Sequence, residues 1–233
     1  MCGYIRRVTD CPEIQDLLEE IGLGELADRY QPTEQAIEHY YPAFGGDPER
    51  KIRGLIVPDE GSATPVDATW WYDCTPAGDT LRVGERTTFN ARNLDSPYWR
   101  GALLHRRALV VATGLGETKE IDGVKQHFLI EGELPFLLGA LYQHFDNGCY
   151  SCAVMTRDIH PRFAPYHDKA FPCFIPADKA FVDAWLYDIH TLPKPVVSYL
   201  EHPRIVVPLQ VSPVKTFRSG ETAKDPVYLP PDP

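Results

Sequence analysis

The sequence contains no apolar run long enough to cross a lipid bilayer. Its aliphatic segments, such as residues 107–112, are short, whereas a membrane-spanning helix needs about 20 consecutive apolar residues. The first residues, MCGYIRRVTDCPE, also lack the apolar core of a secretory signal peptide. These absences predict an intracellular protein, in the cytoplasm or with DNA in a nucleoid or nucleus. Its six cysteines are then expected to be reduced thiols.

Positive charge is scarce as well. The chain has 23 Lys and Arg residues against 33 Asp and Glu residues, a formal net charge of −10. A protein that coats nucleic acid with its whole surface needs an excess of cations to contact phosphates. Two segments differ from the rest, because residues 1–9 contain two arginines and no acid, and residues 86–116 contain five arginines against Asp95 alone. The sequence therefore predicts a small basic face on an acidic body.

Metal-binding patterns are weak. Cys149 and Cys152 have the spacing of zinc ligands, but a second such pair is missing from the sequence. We therefore expect neither a metal nor a cofactor.

The pattern of apolar residues predicts several short elements. Asp10, Pro12 and the helical spacing that follows them predict a helix ending near Gly22. Two further helices are predicted over residues 32–40 and 177–188. Apolar and β-branched runs bounded by turn residues predict strands over residues 52–57, 68–72, 108–113, 126–130, 151–156 and 205–211. Asp122-Gly123 predicts a tight type I′ turn in a hairpin over residues 115–130.

These elements predict a single α+β domain, residues 1–218, around a curved mixed β-sheet with short flanking helices. A chain of 233 residues with 43% hydrophobic residues is long enough for one large domain. Residues 219–233 include four prolines in the last eight positions and have little to bury, which predicts a mobile C-terminal tail.

The tripeptide Met-Cys-Gly at the N-terminus suggests unusual chemistry. Methionine aminopeptidases remove Met1 when the next residue is small, so Cys2 is expected to become terminal. A terminal cysteine combines an amine of pKa ~7.7–8.0 with a thiol of pKa ~8.5. The amine can condense with an aldehyde, and the thiolate can then close a thiazolidine ring that an internal cysteine cannot form. Taken alone, a cysteine at position 2 is more simply interpreted as incidental.

Three further segments, in order, resemble a known family. They are Thr-Phe-Asn-Ala-Arg at residues 88–92, the Arg-Arg strand leading to Gly-x-x-Glu at residues 106–117, and the segment around His167-Asp168 at residues 164–172. Together with Met-Cys-Gly they resemble the SOS response-associated peptidase (SRAP) family over about residues 1–215. Members of this family process their own N-terminus and link covalently to abasic DNA.

The resemblance implies catalytic roles for four residues. Cys2 is the implied nucleophile and crosslinking residue, and Asn90 holds the processed N-terminus by hydrogen bonds. Glu117 is the implied acid and base, and His167 assists it, with an ordinary pKa near 6.5 that suits proton transfer at neutral pH. The expected activity is that of a thiol-dependent crosslinking enzyme with autopeptidase and lyase-like chemistry.

The resemblance also implies a DNA-binding set, in which arginines contact phosphates and tryptophans stack on bases. Its members are Arg92 and Arg106, with Arg6 or Arg7 in place of the arginine that the family has at position 4. Trp70 and Trp71 are either an altered form of the family's stacking tryptophans or residues of the core. The expected partner is single-stranded DNA containing abasic sites, bound by a monomer. The sequence departs from the family pattern at Tyr4, where the family has arginine, and at Thr118, where it has tryptophan.

Two other functions are compatible with parts of the sequence. One is a pseudoenzyme or binding module that keeps the SRAP fold without reacting with DNA, which the net negative charge favours. The other is a glutamine amidotransferase with an N-terminal nucleophile, since that class also begins Met-Cys-Gly. Its Arg-Gly and His-Asn-Gly loops are missing from the first hundred residues. A covalent adduct with abasic DNA would separate the three functions.

Overall fold

The protein was analysed as a computed structural model, which describes residues 3–222 and 224–233. The helices are α1 (Glu13–Glu20), α2 (Pro97–His105), α3 (Lys179–Leu186) and α4 (Lys194–Glu201), with 3-10 helices at Gly24–Tyr30 and Pro161–Phe163. The strands are β1 (Tyr4–Val8), β2 (Ile37–Tyr40), β3 (Lys51–Asp59), β4 (Ser62–Thr69), β5 (Cys74–Ala77), β6 (Thr80–Val83), β7 (Asn90–Ala91), β8 (Arg107–Ile121), β9 (Val124–His144), β10 (Tyr150–Arg157), β11 (Phe171–Pro172), β12 (Phe174–Ile175), β13 (Leu209–Val214) and β14 (Val227–Leu229).

Most strands belong to one mixed sheet that closes on itself. The sheet has 12 strands, and its main path runs β14-β13-β9-β10-β4-β3-β8-β1-β2. An additional pairing of β9 with β8 joins β3, β4, β10, β9 and β8 into a closed barrel. β10 runs parallel to β4 and β7, whereas β8 and β9 are antiparallel. The predicted single α+β domain with a mixed sheet is confirmed.

The barrel separates two hydrophobic cores. Alternate residues such as Val110, Leu138 and Val154 belong to the core inside the barrel. Their neighbours pack outside it against the four helices, where Trp185 of α3 is completely buried. Complete burial of such a side chain contributes on the order of 1.5–3 kcal/mol. Because strand side chains alternate between faces, the position of a residue along β8 decides which core it meets.

β8 and β9 form a long hairpin that projects past the barrel. Asp122 and Gly123 at its tip have φ angles of 51° and 79°, as a type I′ turn requires, so the predicted turn is confirmed. Within β8 the pairing with β9 shifts between Ala112 and Gly114. As a result, Ala112 and Leu115 both lie in the inner core although they are three residues apart.

Two predicted helices are confirmed, at α1 and α3, and one is wrong. Residues 37–40 form the extended strand β2, which pairs with β1, instead of a helix. Pairing with β1 buries Glu38 against Arg7, a long-range contact that local sequence patterns do not reveal. No helix in the described part of the chain has the length and apolarity needed to span a bilayer.

The C-terminal segment is packed on the domain, which corrects the prediction of a mobile tail. β14 pairs with β13, and Leu229 reaches the inner core. The backbone N–H of Ile205 donates to the Asp232 carboxylate at 2.7 Å, and Arg162 forms an ion pair with the same group. A few specific contacts therefore hold a segment whose composition is typical of disorder.

Candidate active site

Glu117 lies on the inner face of β8, beyond the register shift. It pairs with Phe128 of β9 and follows Leu115, both of which belong to the inner core. Only 1% of its surface is exposed. Burial disfavours the charged carboxylate and raises the pKa of Glu117 to about 7. The carboxyl group can therefore both donate and accept a proton near neutral pH.

His167 faces Glu117 from the loop before β11. Its Nδ1 accepts hydrogen bonds from the backbone N–H groups of Lys169 and Ala170, each at 3.0 Å. Because Nδ1 is an acceptor, the proton of the neutral ring lies on Nε2. Nε2 is 3.8 Å from Oε2 of Glu117, which is longer than a hydrogen bond.

The titration of His167 differs from the expectation of a pKa near 6.5. Burial, with the positive charges of Arg92 and Lys119 among lesser causes, lowers the pKa of His167 to about 4. The imidazole is therefore neutral at pH 7. It can offer its Nε2–H as a fixed hydrogen-bond donor, but it is not a cationic acid at that pH.

Lys119 holds the His167 loop against β8. Its Nζ donates to the carbonyl of Ala164 at 2.6 Å and pairs with Asp168 at 3.1 Å. Lys119 is two residues from Glu117, so both side chains lie on the same face of the strand. Lys119 was not predicted from the sequence, because its contact with the His167 loop depends on which face of β8 it occupies.

Asn90 lies on the same inner face, on β7. It pairs in register with Val154 of the inner core, and its Nδ2 donates to the Val154 carbonyl at 3.3 Å. Within residues 3–222 and 224–233, its buried Oδ1 has no hydrogen-bond partner. Thr156 lies two residues beyond Val154, and its buried Oγ1 also has no hydrogen-bond partner among the described residues. The sequence did not predict Thr156 as a site residue. Buried acceptors without partners are rare and suggest a group to be bound.

Cys2, the predicted nucleophile, lies outside the described residues. The chain that follows it is described from Gly3, and Tyr4 pairs with Gly116, the neighbour of Glu117. Tyr4 itself is buried on the outer face of β1, stacked on Phe217 at a centroid distance of 5.0 Å. At the position where the family has an arginine, this chain therefore has a packed ring.

Arg6 and Arg7 are engaged inside the protein. Arg6 forms an ion pair with Glu131 at 2.7 Å. Arg7 is 5% exposed, bonded to Glu38 and packed over the ring of Tyr30 at 4.8 Å. The burial of Arg7 contradicts its predicted contact with DNA, because a phosphate cannot reach its guanidinium.

The two predicted tryptophans are also interior residues. Trp70 is completely buried and donates its Nε1–H to the carbonyl of Phe89. Trp71 is 5% exposed and stacks on the ring of Phe89 at 5.8 Å. A base can stack only on an exposed ring face, so the predicted stacking role of Trp70 and Trp71 is corrected to one in the core.

Arg106 and Arg107 lie at the opposite end of β8 from Glu117. Arg106 is half-buried and donates to the Tyr72 hydroxyl at 3.2 Å. Arg107 is 1% exposed and donates to the carbonyls of Leu103, Leu104, Trp185 and Asp188. Arg106 is therefore distant from Glu117, the predicted catalytic group, and its location does not support the predicted role of Arg106 in DNA binding.

Arg92 is the predicted DNA-binding residue that remains accessible. It is exposed and forms a surface ion pair with Asp158 at 3.3 Å. Its charge also acts on His167, which puts it within electrostatic range of the candidate active site. An exposed ion pair is weak and can be exchanged for a phosphate contact.

In the described part of the chain, no group of three or more His, Cys, Asp or Glu side chains is arranged to hold a metal ion. Cys149 and Cys152 do not form such a group. Cys152 is completely buried in the inner core, and the Cys149 thiol donates to the carbonyl of Asp79.

Comparisons with solved structures reveal the same fold in other proteins. A phage-related protein from Bordetella bronchiseptica has 18% sequence identity and a TM-score of 0.62, over 92% of this chain and 95% of that one. A protein from Bacteroides thetaiotaomicron has 16% identity and a TM-score of 0.63, over 95% of both chains. At these identities the likeness shows the fold alone.

Comparisons of sequence identify the family. No curated protein matches the chain. The model of the family described as SOS response associated peptidase (SRAP) matches residues 1–217. That range includes both β8, with Glu117, and the loop with His167. The chain therefore belongs to the SRAP family, which associates it with the response to DNA damage.

Proposed function

We propose that this protein forms a covalent bond through Cys2 with abasic sites in single-stranded DNA, after Met1 has been removed. The observation that carries the proposal is Glu117, a buried carboxyl group with a pKa of about 7 beside a neutral His167. Ionisable groups shifted into the neutral range in this way occur mostly at functional sites.

The start of β1 lies beside the strand that carries this carboxyl group. Tyr4 pairs with Gly116, and Cys2 is two residues before Tyr4 in the chain. The described chain therefore begins close in sequence to Cys2 and beside the strand that carries Glu117, which supports the proposal that the two residues act together.

The proposed reaction begins with the open aldehyde form of the abasic sugar. The Cys2 α-amine attacks the C1′ carbon, and the resulting carbinolamine loses one water molecule to give an imine. The Cys2 sulfur then adds to the imine carbon, while the thiol proton passes to nitrogen, and a thiazolidine ring results. The overall reaction joins aldehyde and aminothiol with release of one water.

Glu117 provides the proton transfers in this scheme. In its protonated form it donates to the oxygen that leaves as water, and in its ionised form it accepts the proton of the amine or thiol. A pKa of about 7 populates both forms at neutral pH. Removal of Met1 by the chain's own peptidase activity would use the same carboxyl group and the Cys2 thiol.

His167 and Asn90 position the reactants in this scheme. The Nε2–H of His167 is fixed by the two bonds to Nδ1 and can donate to a sugar oxygen. The buried Oδ1 of Asn90 can accept a hydrogen bond from the Cys2 amine. Neither step requires a charged imidazole, in agreement with its lowered pKa.

The test is incubation with an oligonucleotide that contains one abasic site, followed by a denaturing gel. The wild-type protein is expected to give a heat-stable adduct, whereas Cys2→Ala is expected to give none. Cys2→Ser keeps the amine but cannot close the thiazolidine ring, so borohydride should trap its imine. An adduct of wild-type yield from Cys2→Ala would refute the proposal, and intact mass would report whether Met1 is absent.

A further inference from the structure

A polar cleft on the outer face of the sheet has no role in the chemistry above. It has a volume of about 500 Å³ and lies between β2, the start of β3 and the segment after β13. Four cations line it against two carboxylates, Glu38 and Glu49. The cations are Arg50, Lys51, Arg53 and Arg218. This is a local excess of positive charge on a chain with a formal net charge of −10.

The carboxylates in the cleft are already engaged. Glu38 is buried and bonded to Arg7 and to the hydroxyl of Tyr40, so Arg53, at 3.6 Å, is a second cation on the same group. Glu49 pairs with Lys51 at 3.0 Å on the surface. Surface pairs of this kind contribute little stability, so an anionic ligand can compete with them.

Arg218 is exposed and lies beside the aromatic wall of the cleft. Its positive charge acts on both His39 and Tyr41. Tyr41 is half-buried, so part of its ring faces the cleft. Arginine guanidinium groups next to a partly exposed ring suit a ligand that has both phosphates and bases.

Tyr4 packs beside this cleft, on the strand that pairs with β8. Its hydroxyl is 2.7 Å from Nδ1 of His39, and its ring contacts that of Tyr41 at 5.2 Å. On β8 the residue opposite Tyr4 is Gly116, next to Glu117. Glu117 faces the barrel interior, so the cleft and the carboxyl group lie on opposite faces of the sheet near the start of β1.

We propose that this cleft binds backbone phosphates of single-stranded DNA, with Arg53 and Arg218 as the main contacts. The inference rests on the proposed function. Arg53 and Arg218 lie outside residues 1–9 and 86–116, the two segments in which the sequence predicted a basic face. In this proposal they provide the positive charge near the N-terminus that the buried Arg7 cannot offer.

The experiment measures binding of a fluorescent, abasic-free single-stranded oligonucleotide across a range of salt concentrations, so that covalent capture cannot contribute. Arg53→Ala and Arg218→Ala are expected each to reduce the salt slope by about 0.7, the value for one phosphate on a single strand, and to weaken binding roughly fivefold. Lys194→Ala removes an equal charge from an exposed site on α4 and is the matched control.

The result that overturns the inference is a salt slope in both arginine variants equal to that of Lys194→Ala. Displacement of the oligonucleotide by inorganic phosphate or by a glutamate-rich peptide at equal charge concentration would also overturn it, because the cleft would then be a general anion site. Arg218→Lys should recover most of the affinity if charge is the basis of binding. Thermal melting checks that each variant is folded.

Failure of this inference is separable from failure of the proposed function. If the adduct forms but Arg53→Ala and Arg218→Ala bind normally, the crosslinking proposal stands and the cleft is unrelated. If no adduct forms while both arginine variants lose affinity, the cleft binds DNA strands and the covalent chemistry is refuted. With subsaturating abasic DNA the variants should crosslink slowly, and with saturating DNA they should reach the wild-type rate.

Discussion

β8 contains two buried ionisable side chains, and they differ in whether burial brings their pKa close to neutral pH. Arg107 and Glu117 are each 1% exposed. Arg107 is surrounded by four carbonyl acceptors, and although burial lowers its pKa to about 10 it remains charged at pH 7. Burial instead moves the pKa of Glu117 to about 7. A buried charge with fixed partners is structural, whereas one that titrates near neutrality is available for chemistry.

The partners of Arg107 explain its structural role. The carbonyls of Leu103 and Leu104 belong to the last turn of α2, and that of Trp185 to the last turn of α3. Carbonyls in the last turn of a helix lack partners within the helix, and a cation there also interacts favourably with the helix dipole. One guanidinium thus joins two helices to the barrel.

The largest expected effect is the loss of stability in Arg107→Ala. The change leaves four carbonyls without their donor and opens a cavity, so unfolding should become easier by about 3–5 kcal/mol. Chemical denaturation is the measurement. Arg100→Ala, at an exposed position of α2, should change stability by less than about 0.5 kcal/mol. Equal effects of the two substitutions would refute the structural role of Arg107.

Glu117→Gln should have the opposite effect on stability, and only at higher pH. The pKa of Glu117 rises from 4.5 to about 7 on folding, so the folded state retains a proton that the unfolded state loses. Stability is therefore lost as pH rises from about 4.5 to 7. Glutamine removes this penalty, and we expect a gain of about 3 kcal/mol at pH 8 and none at pH 4.

Denaturation curves at the two pH values test this expectation. A pH-independent difference between Glu117→Gln and wild type would mean that the carboxyl group ionises normally in the folded protein. The comparison with Arg107 would then fail, since neither buried group would titrate near neutrality.

Glu117→Gln should also slow covalent capture of abasic DNA by roughly 10²-fold, the usual scale for loss of a general acid and base. Affinity for an abasic-free strand should stay near the wild-type value. Glu120→Gln, an exposed position on the same strand, is the matched control. A wild-type rate for Glu117→Gln across pH 6–8 would make Glu117 a buried carboxyl group without a catalytic role.

The smallest expected effect belongs to Lys119→Met. This change removes the bond to Ala164 and the ion pair with Asp168, so the loop that carries His167 should become less well positioned. We expect the capture rate to fall by a few-fold, with a loss of stability of about 0.5–1 kcal/mol. Lys125→Met, an exposed position beyond the hairpin tip, should change neither quantity.

The helices, strands and turns could be predicted from the sequence better than the burial of individual side chains. The turn at Asp122-Gly123 and the helix α1 follow from local chemistry, so they could be predicted. The burial of Arg7 depends on Glu38, 31 residues away, and that of Trp70 on the closure of the barrel. Such contacts arise from long-range pairing, which a single sequence does not reveal.

The candidate site could be predicted only in part. Glu117 and His167 were indicated by the family resemblance, and the structure brings them to 3.8 Å. The lowered pKa of His167 follows from burial and from nearby charges in distant segments, which spacing along the chain does not encode. Lys119 and Thr156 were missed because their significance depends on which face of a strand they occupy.

The register shift between Ala112 and Gly114 changes which side chains of β8 face the barrel interior. Before it, even-numbered residues of β8 face the inner core, and after it, odd-numbered residues do. Thr113, at the shift, accepts a hydrogen bond from the backbone N–H of Val8 at 2.9 Å and so joins it to β1. Without the shift, the alternation would continue unbroken beyond Ala112, and even-numbered residues would face the inner core along the rest of the strand. Thr118 would then point inward and Glu117 outward, so a single irregular pairing selects the side chain that reaches the barrel interior.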